Sequence, residues 1–303
     1  MIGKRLILSG LFVLVILTIS STAQQPDGPL VVNIMVDAEF APHYQNMTLA
    51  DRERIELASL KEMLNELDSR GLNATIYPTG EFVTGGTGSA EYRDYLAGEC
   101  TKPNYEMASH SMASADMLGG MPYDKQYSLL ARSKKLIESA YFKEGIPMEA
   151  KGFRPQYFNQ SEFTYRALDA MGTVYDSGFK AGILFIPGHQ NDTWPYPVDG
   201  HSFYAVPVSS HMLDGDMVYM CDLSAKYVET LNGTQWLNLL TATLDDCASK
   251  GDPMVVIFHN FVCGNNDGYM MAYKEFINRS ISKNAAFVTT LELVEMAKKK
   301  DNP

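Results

Sequence analysis

Leu30-Val31-Val32-Asn33-Ile34-Met35-Val36-Asp37-Ala38-Glu39 is an almost unbroken apolar run that stops on two carboxylates two positions apart. A run of that kind suits a strand buried on both faces, as in a parallel sheet covered by helices. Three more β-like stretches stop on reactive side chains: Tyr105–Ser109 at His110, the short stretch through Phe153 at Arg154, and Met254–Phe258 at His259. In an α/β barrel the C-terminal strand ends share one rim, where such residues read as catalytic rather than structural. Every strand must stop on something polar, so one such ending carries little weight. Asp, His, Arg and His together point to hydrolytic chemistry.

The rest of the chain alternates in the same sense. Leu49–Arg70 has helical spacing of Ile55, Leu60, Met63, Leu64 and Leu67, with Thr48 as its cap. Ala74–Pro78 reads as a strand, Asp124–Phe142 as a helix, Lys151–Arg154 as a short strand and Glu162–Met171 as a helix. Val174–Asp176 and Phe203–Ser209 follow as strands, the latter ending near His211. Between them residues 187–201, rich in Pro, Gly and Asp, are expected to form a rim loop. Helices are expected over Gln235–Ala248, Tyr269–Ser280 and Leu291–Lys300. Strand and helix in alternation predict a parallel α/β architecture, and residues 30–300 are expected to form a single domain.

Lys4 and Arg5, the apolar stretch Leu6–Ile19 and Ser21-Thr22-Ala23 have the order of a signal peptide over residues 1–23, with an uncleaved anchor as the lesser reading. Residues 24–29 then serve as a linker. Six N-x-Ser/Thr sequons, at Asn46, Asn73, Asn159, Asn191, Asn232 and Asn278, fit an exported, glycosylated chain. The expected location is therefore secreted or at the extracellular surface. Cys100, Cys221, Cys247 and Cys263 would then form two disulfides. A formal charge of −11 disfavours nucleic acid and anionic membrane surfaces as partners.

The motifs, taken in order, resemble those of the polysaccharide deacetylases, metal-dependent carbohydrate esterases on a distorted (β/α) barrel. Met35-Val36-Asp37-Ala38-Glu39 stands where that family has Thr-Phe-Asp-Asp-Gly. Ala74–Gly80 is similar to its Ala-Thr-Phe-Phe-x-x-Gly, and Ser109-His110-Ser111 to the first half of its His-Ser/Thr-x-x-His. Phe153-Arg154-Pro155-Gln156-Tyr157 resembles Phe-Arg-Pro-Pro-Tyr, and Val256–His259 the closing Leu-Leu-His. The resemblance implies Asp37 as general base, Arg154 as the group that orients it and His259 as general acid. It also implies a divalent metal, with zinc favoured by a mixed histidine and carboxylate site.

The metal motif departs from the pattern at two positions: the second Asp is Ala38 and the second His is Ser114. Glu39 faces the same way as Asp37 on an extended strand and could replace the missing carboxylate. His110 remains as a ligand, and the third is expected from His211, with Asp116 and His43 as alternatives. Tyr157 and Trp194 are candidates for stacking on sugar rings. Asp176-Ser177 resembles a Tyr-Asp-Ser element, which puts Asp176 behind the catalytic histidine. The function implied is removal of N-acetyl groups from amino sugars of an N-acetylated polysaccharide or oligosaccharide. The rival is a carbohydrate-binding surface protein that keeps the groove and has lost the metal and the activity.

Overall fold

The computed structural model describes residues 28–41, 48–84, 90–142, 145, 147–264 and 266–301. The expected signal segment, His43 and the sequon at Asn46 lie outside the described residues. In chain order the strands are β1 (Val31–Ala38), β2 (Ala74–Pro78), β3 (Tyr105–Met107), β4 (Gly152–Phe153), β5 (Tyr175–Lys180), β6 (Tyr196–Pro197), β7 (Tyr204–Val208), β8 (Ser210–Leu213), β9 (Asp216–Tyr219), β10 (Met254–His259) and β11 (Ala286–Phe287). The α-helices are α1 (Leu49–Asp68), α2 (Gly80–Thr84), α3 (Ala90–Glu99), α4 (Tyr123–Phe142), α5 (Glu162–Ala170), α6 (Asp222–Tyr227), α7 (Gly233–Lys250), α8 (Asn260–Gly264), α9 (Asp267–Ser282) and α10 (Thr290–Asp301). Thr48 caps α1 as its position predicts, its Oγ1 accepting from the Asp51 N–H.

The strands form two main sheets, β10-β1-β2-β3 with β11 beside β1, and β4-β5-β7-β6, plus the β8-β9 hairpin. All pairings in the first sheet are parallel. A single parallel bridge, Ser109 to Phe153, joins the sheets on one side. On the other, the Ser209 N–H donates to the Val255 carbonyl. The ring is therefore a barrel opened at two seams, which is the distortion that the motifs imply.

Side chains alternate along β1. Met35 Sδ and Asp37 both meet Arg154 inside the ring, 3.3 Å from Nη1 in the case of Met35. Phe258, next to the inward His259, packs outward against Trp236 of α7 and Tyr273 of α9. The barrel floor is polar but satisfied. Glu106 accepts from Tyr175 Oη, Thr75 Oγ1 and the Leu291 N–H, and burial lifts its pKa to about 7. Position 152 must be glycine for this floor to exist, because a Cβ there would sit 2.0 Å from the Tyr175 ring.

The structure corrects two expectations here. The buried Cys221, Cys247 and Cys263 are not bridged, so the two disulfides do not form. Cys247 Sγ instead lies 3.6 Å from the Pro253 carbonyl, and Cys263 Sγ 3.8 Å from Asp222 Oδ2. The loop over 187–201 does not sit on the rim. It leads through β6 into the start of β7, and Thr193 is tied to Asp252, which precedes β10. It therefore covers the opposite end of the barrel. Among the described residues, no helix is long and apolar enough to cross a membrane.

Candidate active site

Register builds the site. Asp37 pairs with His259 across β1 and β10, and with Tyr77 across β1 and β2. The Ser109–Phe153 bridge brings His110 beside Arg154. Asp37, Glu39, His110, Arg154 and His259 thus line one enclosed cavity of about 90 Å³, with Gln156, Tyr157, Phe158, Tyr219 and Cys221 among its walls.

Arg154 is 1% exposed; its Nη2 donates to Asp37 Oδ1, and its guanidinium lies 4.0 Å over the Tyr77 ring. Burial alone would raise the Asp37 pKa. The charges of Arg154, His110 and His259 outweigh it and hold the carboxyl below its ordinary range. Glu39 shifts the other way, because burial and the neighbouring Asp37 charge prevail over the two histidines. Its Oε2 accepts from Gln156 Nε2 at 2.8 Å, and its N–H donates to Asn260 Oδ1 at 3.1 Å.

The two histidines are held at Nδ1 by different partners. His110 Nδ1 lies 2.9 Å from the Arg154 carbonyl, which can only accept, so that nitrogen carries a hydrogen. His259 Nδ1 lies 2.6 Å from Asp222 Oδ1, and the His259 N–H donates to Asp222 Oδ2 at 2.8 Å. Burial would lower the His259 pKa, but Asp222, Asp37 and Glu39 lift it to about 9. The carboxylates thus favour the charged form of His259.

His110 Nε2 faces Asp37 Oδ2 at 3.4 Å and Glu39 Oε2 at 3.9 Å, too far for good hydrogen bonds. His259 Nε2 faces the same carboxylates, 3.4 Å from Asp37 Oδ2 and 3.8 Å from Glu39 Oε1. Ligands about 2 Å from one tetrahedral centre lie roughly 3.3 Å apart, a spacing that His110 and Asp37 approach and that His110 and Glu39 exceed. A carbonyl behind the second imidazole nitrogen is also the usual support for a ligating histidine. These side chains are of the types that bind a divalent cation, but their ligand atoms are not gathered within 4.8 Å of one another; among the described residues those of Cys221, Asp222 and His259 are.

Other predicted residues fall elsewhere. His211 sits half-buried on β8, paired with Val218, and is not part of the cavity wall. The chain turns into the β8-β9 hairpin straight after Ser209, which carries that imidazole away. Asp116 is occupied in a turn, Oδ2 accepting from Ser111 Oγ and the Met112 and Ala113 N–H groups. Trp194 packs under Lys300, whose Nζ lies 3.7 Å from the ring centroid. Tyr157 is at the mouth, 48% exposed, with a left-handed φ of 54°.

Asp176 is not the carboxylate behind His259; Asp222 is. Asp222 escaped sequence reading because it follows the hairpin, outside any familiar motif. Its signal was faint: Val218–Cys221 is one more apolar run ending on an acid. Gln156, the partner of Glu39, stood inside a motif but where the resemblance supplies only proline.

Asp176 is instead a buried acid, with Oδ1 accepting from the Gly178 N–H and Oδ2 unpartnered. Hydrogen bonds from the Gly178 N–H and Gln160 and the charge of Arg154 favour the ionised form, but burial outweighs them. Burial raises the Asp176 pKa to about 7 from an ordinary 3.8. A carboxyl with a raised folded-state pKa contributes least when ionised, so its contribution falls as pH rises from about 4 to 7. Asp176→Asn should therefore gain on wild type across that window, by on the order of a few kcal/mol above pH 7. Urea midpoints at pH 4 and 8 measure the gain; an equal difference at both would mean that Asp176 is ionised throughout.

No protein-family model matches the sequence, and a search of curated proteins returns no match. Solved structures do match. A Mycobacterium smegmatis protein described as a polysaccharide deacetylase aligns with a TM-score of 0.66 at 18% identity, over 92% of this chain and 93% of its own. The Puue allantoinase aligns at 0.67 and 13% identity, over 91% and 93%. A carbohydrate esterase family 4 pseudoenzyme from Bacillus anthracis aligns at 0.52 and 11% identity, over 88% of this chain and 66% of its own. With these alignments and the motif order on its strand ends, the chain has the polysaccharide deacetylase fold.

Proposed function

We propose that the protein is a metal-dependent amidohydrolase that removes N-acetyl groups from amino sugars of a glycan. The observation that carries this reading is that Asp37, Glu39, His110, Arg154 and His259 line one small cavity on a deacetylase-like fold. Glu39 and His110 would hold the cation, beside Asp37. A divalent ion there would polarise the amide carbonyl and acidify a bound water. Asp37, kept ionised by Arg154, receives the proton of the attacking water. His259, charged through Asp222, delivers a proton to the departing nitrogen. Zinc suits one imidazole with carboxylates.

The size of the cavity supports an acyl substrate. About 90 Å³ is well below the roughly 300 Å³ at which drug-sized ligands become enclosed. An acetamido group fits inside, while the rest of a glycan stays outside against Tyr157. Export to where such glycans lie is supported by the basic and apolar N-terminal residues and by the sequons. The unbridged cysteines add nothing to it.

The purified chain should bind about one zinc and release acetate from a chitooligosaccharide. His110→Ala should lose both metal and activity, since the other imidazole facing Asp37 and Glu39, that of His259, is held by Asp222. The competing reading is a binding protein, suggested by Ala38 and Ser114 where the motif has ligands. It would be established by wild-type protein that releases no acetate with zinc or cobalt from a panel of N-acetylated glycans, yet binds one of them.

A further inference from the structure

Lys180 ends β5 on the same rim as the catalytic groups, and its ammonium is clasped between two rings of the cavity wall. Nζ lies 3.8 Å from the Tyr219 centroid and 4.2 Å from that of Phe158. The rings meet edge to face, 5.3 Å apart at 80°. Both also line the cavity that holds Asp37 and His259.

The clasp has a cost in backbone strain. Tyr157 and Phe158 are consecutive non-glycine residues with φ of 54° and 58°, a conformation that costs such residues of order 1–3 kcal/mol each. Strain of this kind persists where the surroundings over-determine it, and it is concentrated at ligand clamps. Here it turns Tyr157 to the mouth and Phe158 onto Lys180. Yet no carboxylate pairs with Lys180 among the described residues. Burial lowers its pKa. Two ring faces offset part of the lost hydration. They leave the ammonium without a carboxylate partner among the described residues, against two rings that line a cavity whose interior is rich in acid.

We propose that Lys180, Phe158 and Tyr219 form an anion subsite at the mouth, which selects acyl-amino glycans bearing a carboxylate next to the scissile amide. This rests on the proposed deacetylase reading for what enters the cavity, and it adds the charge of what stays outside. A substrate carboxylate approaching Asp37 and Glu39 needs a local cation to offset their repulsion, and Lys180 is placed to supply it.

The test is binding, so that it stands apart from turnover. Calorimetry would compare a neutral N-acetylated chitooligosaccharide with the same oligomer oxidised to carry C6 carboxylates. Wild type should prefer the acidic oligomer by about tenfold or more, the scale of a hydrogen bond to a charged group, and added salt should erode the preference. Lys180→Met keeps the stem between the rings and should abolish the preference without changing neutral binding; Lys180→Arg should retain it. Equal affinity of wild type for both oligomers would overturn the proposal, as would an equal loss for both in Lys180→Met. If Lys180→Met does not fold, the salt dependence of the wild-type preference decides: a salt-insensitive preference rejects Lys180. Loss of acetate release with the preference intact would reject the deacetylase reading and leave the subsite standing.

Discussion

Arg154→Met is expected to destabilise the protein by about 3–5 kcal/mol at neutral pH, the scale for breaking one side of a buried ion pair. Methionine fills much of the space beside Met35 and Tyr77, so packing changes little. What changes is Asp37, left buried between Glu39 and the imidazoles without its guanidinium. In wild type the Asp37 pKa lies below its ordinary 3.8, so its contribution is present above that value and lost as pH falls further. Without Arg154, burial raises the pKa above 3.8 and the sign reverses: stability falls as pH rises. The cost of the substitution should therefore be large at pH 8 and small at pH 4, where Asp37 can take a proton. Urea denaturation at the two pH values measures it. A pH-independent cost would show that Arg154 acts through packing, and would take from Asp37 its claim to be an ionised base. Activity should fall with the ionised base, and Arg154→Lys should restore only part of it, since an ammonium cannot both reach Oδ1 and spread over the Tyr77 ring.

The strand endings made most of this site legible. Parallel register leaves little freedom once β1 and β10 pair, since Asp37 and His259 must then be neighbours. Alternation along β1 puts Glu39 on the face of Asp37, so its place in the cavity could be read from spacing alone. The place of His211 could not: reading put it in the site, and it lies on β8, off the cavity wall. In space, Asp37 Oδ2 is the second carboxylate oxygen that faces His110 Nε2. The misses share a cause: the path of a connection is not encoded in strand periodicity. Residues 187–201 resemble a rim loop in composition, yet must return to the far end because β7 runs parallel to β5. Asp222 reaches His259 through a hairpin and the Cys221–Ile257 bridge, a contact between segments that share no local pattern.

His259→Ala and Asp222→Asn, taken together, test whether the site is chemically competent. Removing the imidazole should lower acetate release by roughly 10²–10⁴, the range for a general acid. Glycan affinity should change little, because a proton given in the transition state contributes little to ground-state binding. Asp222→Asn is the more diagnostic substitution. The amide oxygen can still accept from Nδ1, so the ring keeps its orientation, but the charge that sustains the imidazolium is gone. Burial then acts against the charged form with less opposition, and the His259 pKa should fall from about 9. If His259 delivers the proton in its charged form, the alkaline limb of the pH–rate profile belongs to that pKa. The limb should move to lower pH in Asp222→Asn, while rates well below it suffer less. A limb that stays in place as the overall rate drops would mean that Asp222 only positions the ring, and the proton would have to come from elsewhere, with Tyr157 and Tyr219 the phenols on the cavity wall.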